Sequence, residues 1–107
     1  MTEDGILINT TICDTILTRH LLGYRIASTE VSRVVEPHAY GVTHDGRHTL
    51  WAWRLAGEGS DSNADSAWEL VPTDEMRDVC VLAETFAGPR PHYRRGNKQM
   101  RLIHAQL

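Results

Sequence analysis

Glu36 and His38 stand two residues apart in Arg33-Val34-Val35-Glu36-Pro37-His38-Ala39-Tyr40. On an extended strand such a spacing puts both side chains on one face. A carboxylate beside an imidazole suits acid–base chemistry, yet the same pair also serves as a polar contact at a sheet rim, and that plainer reading is the expected one. Nucleophilic catalysis would need Ser or Cys beside a base; Gly-x-Ser-x-Gly does not occur, and neither Cys13 nor Cys80 has such a setting. No catalytic residue is assigned, and the protein is expected not to be an enzyme. His44 and His48 flank Asp45-Gly46 and could offer imidazoles to zinc or nickel, but structural sites want four ligands and usually cysteine. No metal is expected. Phosphate-binding glycine motifs are missing too, so the glycines read as turn glycines and no cofactor is expected.

Aromatic and cationic residues give a different chemistry. Tyr24, Tyr40, Trp51, Trp53, Trp68 and Tyr93 could stack on bases or sugars, with Arg33, Arg54, Arg90, Arg94 and Arg95 supplying positive charge. Small barrels bind single strands in this way. With only one Phe in the chain, the tryptophans are also needed as packing residues.

The elements that must position these groups follow from periodicity. Ile8, Ile12 and Ile16 recur four apart, with Cys13 and Leu17 widening the stripe, which predicts a short amphipathic helix over 9–19 capped by Asn9 or Thr10. Its many β-branched residues weaken helix preference, and a strand is the alternative. Strands are expected at 21–26, 33–42, 49–56, 68–71 and 77–82, with a hairpin turn at Asp45-Gly46 and an acidic loop at 57–67. Pro37 cannot donate to a ladder, so its strand is an edge or breaks at a bulge there. Thr73 is expected to cap one helical turn. These pieces predict a mainly β domain over residues 1–87, a small antiparallel barrel of about five strands with one N-terminal helix. Residues 88–107 read as a basic Pro-, Gly- and Arg-rich tail, either solvated or docked as a strap over its own barrel or a partner's acidic loop.

Charge divides the 107-residue chain. Residues 1–84 hold all 14 acids and six of the 11 Lys and Arg, a net of −8, whereas residues 85–107 hold five bases and no acid, a net of +5. A polyanion would be drawn only to the second part or to a local patch. No apolar run approaches the roughly 20 residues a membrane span needs, and the start of the chain is acidic where a secretory signal would be basic. A cytoplasmic protein is expected, with no membrane partner and both cysteines reduced and buried as small hydrophobes.

Tyr24, Arg33-Val34-Val35-Glu36-Pro37, Leu50-Trp51-Ala52, Leu70 and Asp74-Glu75-Met76-Arg77-Asp78-Val79, followed by Phe86, stand in an order that resembles the WYL domain family over about residues 12–87. The resemblance implies an Sm-like or SH3-like barrel, a sensor or regulatory module of the kind found beside bacterial DNA-binding domains. It implies a nucleic acid or an anionic small ligand, with Arg33, His38, Tyr40 and Trp51 as contacts; Arg54 joins them as a neighbouring cation. Self-assembly through barrel edge strands and the basic tail is the alternative role.

Overall fold

The computed structural model describes residues 9–55 and 68–107. Helix α1 (Thr10–Thr18) precedes strands β1 (His20–Ile26), β2 (Ser32–Thr43), β3 (His48–Arg54), β4 (Trp68–Pro72), β5 (Met76–Thr85) and β6 (Met100–Gln106), with a 3-10 turn at Thr73–Glu75 between β4 and β5 whose cap position is Pro72, not Thr73; the Thr73 hydroxyl donates to the His48 carbonyl instead. All pairings are antiparallel, in the order β4-β3-β2-β1-β5, with β6 added to β2. The fold is thus mainly β with one helix, as expected, but the described residues form six strands rather than five, and the bent sheet does not close. The predicted 57–67 loop and Ile8 lie outside the described residues.

The helix forms despite its threonines, two of which turn their hydroxyls back onto the helix. Thr15 and Thr18 hydroxyls donate to the carbonyls of Thr11 and Asp14, four residues back. Asn9 caps the start, its Oδ1 accepting from the Ile12 N–H, and its own N–H donates to the Tyr40 hydroxyl on β2. Arg19 ends the helix in the left-handed region. Ile12 and Ile16 are fully buried against the sheet, each contributing about 1.5–3 kcal/mol, enough to outweigh the weak propensity.

Strand β2 organises everything else. One of its edges is paired with β3 from Val35 to Val42. Its other edge is shared: Ser32–Val35 pair with β1, and Ala39–Thr43 pair with β6. The change of partner falls at Glu36-Pro37-His38, where the β3 register also shifts between Pro37 and Ala39. Pro37, with no N–H to give, sits at this break, as its chemistry requires. Gly41 is required by β6: a Cβ there would lie 2.1 Å from the Leu102 carbonyl oxygen. Gly46, at φ 89°, permits the hairpin turn.

The bulge also resets which residues face inward. Before it, Val35 and Pro37 share a face with Arg54 and Ala52; after it, Tyr40 and Val42 share that face with Leu50 and His48. The inner face builds the core of Ile12, Ile16, Leu22, Tyr24, Val35, Tyr40, Leu50, Ala52, Val71, Met76 and Ala105. On the outer face Glu36, opposite Trp53, and Ala39, opposite Trp51, belong to a second, aromatic cluster. There Trp51 stacks on Trp68 at 5.0 Å and Trp53 meets Trp68 edge-on at 5.3 Å.

Two expectations are corrected. Cys80 is exposed on β5, its sulfur lying 3.2 Å from where a Gly23 Cβ would be; only Cys13 packs against the core. Residues after Gly88 run across the outer face as a strap and then enter the sheet as β6, so the docked alternative describes them and the solvated tail does not.

Candidate functional site

Strap residues 86–99 are held at several points. The Arg90 guanidinium makes two bonds to the Glu36 carboxylate, 2.6 and 2.7 Å, while its carbon lies 5.2 Å from the Trp53 ring centroid. This bidentate bond pushes the Arg90 pKa further up. The Arg90 backbone N–H donates to His38 Nε2 at 3.0 Å, and His38 Nδ1 lies 2.8 Å from the Glu36 carbonyl oxygen. A ring accepting at Nε2 and donating at Nδ1 is neutral. His38 is fully buried between Trp68, Phe86 and Tyr93, and burial holds its pKa below the usual histidine value. Tyr93 places its hydroxyl 3.3 Å from the carbonyl oxygens of His38 and Leu107, and burial pushes its pKa up.

The far half of the strap is pinned by smaller groups. Gly96 N–H donates to the Gln106 side chain, and Met100 N–H to the Asn97 carbonyl. His44 Nε2 reaches the Lys98 carbonyl across the hairpin tip. Between this half of the strap and β3 lies a groove of about 550 Å³ lined by Trp51, His92, Arg94, Arg95, Gly96, Asn97 and Lys98. Trp51 stacks on Trp68 and is itself only half-buried, lining this groove. Among the described residues, no carboxylate pairs with Arg94, Arg95 or Lys98. A second groove of about 600 Å³, under the first half of the strap, has Glu36 and Arg90 as its only charged lining residues, and these neutralise each other.

The five residues expected to share a ligand site divide between the two faces of the sheet. Arg33 and Arg54 point to the inner side, where both donate to Glu69 Oε2 at 3.3 and 2.9 Å. Tyr24 adds a longer bond to the same carboxylate, and its own pKa is driven up by burial and by Glu69. Tyr40 is buried in the core, its hydroxyl bonded to Asn9 and to His48 Nδ1. His38 is on the outer face but enclosed. Trp51 alone lies in a groove with cations beside it. Glu36 and His38 do share a face, as their spacing predicts, and both are occupied in holding the strap. Cations beside Trp51 come from the strap, where the signal in the sequence was the absence of any acid from residues 85–107.

His44 and His48 turn to different partners, Lys98 and Tyr40. Among the described residues no three His, Cys, Asp or Glu side chains come together as metal ligands, and no helix is long and apolar enough to cross a membrane. His48 stacks on His104 at 5.4 Å; burial and this neighbour hold the His104 pKa down.

No family model, curated protein or solved structure matches this chain.

Proposed function

We propose that this protein is a non-enzymatic, WYL-like binding module that senses a nucleic acid or an anionic small ligand and acts with a regulatory partner. The observation that carries the reading is the groove in which Trp51 meets His92, Arg94, Arg95 and Lys98 with no neutralising acid among the described residues. An aromatic platform beside uncompensated cations suits a base or other planar group joined to phosphate. The order of Arg33-Val34-Val35-Glu36-Pro37, Trp51 and Asp74-Glu75-Met76 supports the same class of module. The ligand site moves, however, from the inner arginines to the strap.

Titration of a fluorescent single-stranded octanucleotide and of a mononucleotide, each at several salt concentrations, tests the reading. A single strand touching three of the cations gives a slope of log affinity against log salt of about −2. Saturating ligand at about 100 times its dissociation constant should stabilise the fold by about 2.7 kcal/mol. No binding by either probe at low salt removes the reading.

One observation favours a second reading, self-assembly. Among the described residues, strand β5 is paired only with β1, and from Arg77 to Thr85 every residue but Leu82 is exposed, Val79 and Val81 included. Such an edge invites another strand. Light scattering decides it: a monomer at high concentration, unchanged by Val81→Lys, removes this reading.

A further inference from the structure

His38 is enclosed more completely than any other charged or titratable side chain of the outer face, and both its ring nitrogens are engaged. We infer that the Glu36–His38 corner is a proton-sensitive latch: neutral His38 holds the strap across the aromatic face, and its protonation frees the strap backbone at Arg90 and loosens the groove over Trp51. The ligand half of this inference rests on the groove reading above; the latch itself does not.

The geometry carries it. Neutral His38 offers one lone pair, at Nε2, and the Arg90 N–H takes it at 3.0 Å. A proton arriving at Nε2 replaces that acceptor with a donor pointing at a donor, and it places a charge between Trp68, Phe86 and Tyr93. Among the described residues, the groups facing the ring are few. From β2 comes the Glu36 carboxylate, already bound twice by Arg90; from the strap come the Arg90 guanidinium and the Tyr93 phenol; β4 gives only the Trp68 indole. Burial outweighs the attraction of Glu36, and the Arg90 charge acts with burial, so the ring is kept neutral at neutral pH. Because its folded pKa is depressed, the bond to the strap is fully present above the ordinary histidine range and is lost as pH falls below it. What His38 holds is the strap's own backbone, so the lost bond falls on the segment that carries Arg94, Arg95 and Lys98.

The latch makes an expectation opposite to simple electrostatics. Acidification makes the chain as a whole more positive and by itself strengthens anion binding. With the latch, affinity for an anion falls instead.

Hydrogen exchange and histidine ring NMR on the full chain, from pH 7.5 to 5, test this. The Arg90 amide should be protected at pH 7.5 and lose its protection in step with titration of the His38 ring, while core amides such as Leu22 and Val35 stay protected. In His38→Gln, whose side-chain oxygen can still accept from Arg90, protection should not change over this range; His104→Gln should keep the wild-type loss. Protection that persists after His38 has titrated overturns the latch, as does loss at Arg90 that coincides with loss at Leu22 and Val35. Should His38→Gln not fold, the coincidence of ring titration and amide exposure in the wild type decides alone. An octathymidylate probe should bind more weakly to the wild type at pH 5 than at pH 7.5, and more tightly to His38→Gln. If it binds neither at any pH, the groove reading fails, and the exchange data alone judge the latch.

Discussion

Two groups of arginines lie on opposite sides of one sheet and differ in what surrounds them. Arg33 and Arg54 sit at the end of the core, with side chains only 13% and 11% exposed, and both donate to Glu69. Arg94 and Arg95, with Lys98, are exposed along the strap beside Trp51, and no described carboxylate answers them. The first group is positive charge used to close a fold. The second is positive charge left for something outside it. The type of residue is the same, and the difference lies in whether the chain supplies a carboxylate within reach.

Removing the carboxylate from the first group is the strongest way to test that contrast. Glu69→Ala removes the carboxylate that two largely buried guanidiniums share and should destabilise the fold by about 3 kcal/mol, the low end for a broken buried ion pair. Urea unfolding measures it, and a loss below 1 kcal/mol would mean the inner arginines are as well solvated as the outer ones. Next in size, Trp51→Ala should weaken octanucleotide binding by about 1–3 kcal/mol, the contribution of one stacked base. An unchanged titration would separate the ring from the cations and break the groove. Glu36→Ala should cost about 1.5 kcal/mol, because Arg90, at 39% exposure, can be partly rehydrated once its partner goes. Arg94→Gln together with Arg95→Gln should change stability by no more than about 0.5 kcal/mol, while the salt slope of binding falls by about 1.4 for two lost phosphate contacts. A large stability loss here would show that the strap cations are structural after all.

The pH profile should report on the buried imidazoles. His38 and His104 both have folded pKa values below the ordinary one, so the unfolded chain binds more protons just below neutrality. Stability should therefore be level above about pH 6.5 and decline as pH falls below it. Thermal melts across pH 5–8 check this; a profile that rises on acidification contradicts the burial of His38.

Much of the fold was legible in the sequence because local signals agreed with the final packing. The four-residue spacing of Ile12 and Ile16, the Asp45-Gly46 turn and the alternation of Leu50 and Ala52 against Trp51 and Trp53 all describe what is seen. Pro37 correctly marked the break in β2. What a single alternation could not show was its consequence: the added residue reverses inside and outside, so His38 and Tyr40 end on different faces. Strand β6 was hidden for another reason. Met100-Arg101-Leu102-Ile103-His104-Ala105-Gln106 has no clean period of its own; it is a strand because β2 offers an open edge and Gly41 lets it approach. The site was missed where the fold was found, since a ligand groove made by a strap depends on pairings distant in sequence.

The shared edge of β2 sets an order on how this molecule can be made. Gly41 and its partner Ile103 are 62 positions apart, so during synthesis the edge at Ala39–Thr43 waits unpaired while β3, β4 and β5 are added. For that interval the nascent chain carries a vacant slot of the width β6 will fill. Contacts this far apart form slowly, and the wait exposes the half-built sheet to any other extended segment nearby. Shortening the interval, by a circular permutation that brings β6 next to β2, should raise the yield of folded protein without altering one contact of the finished sheet.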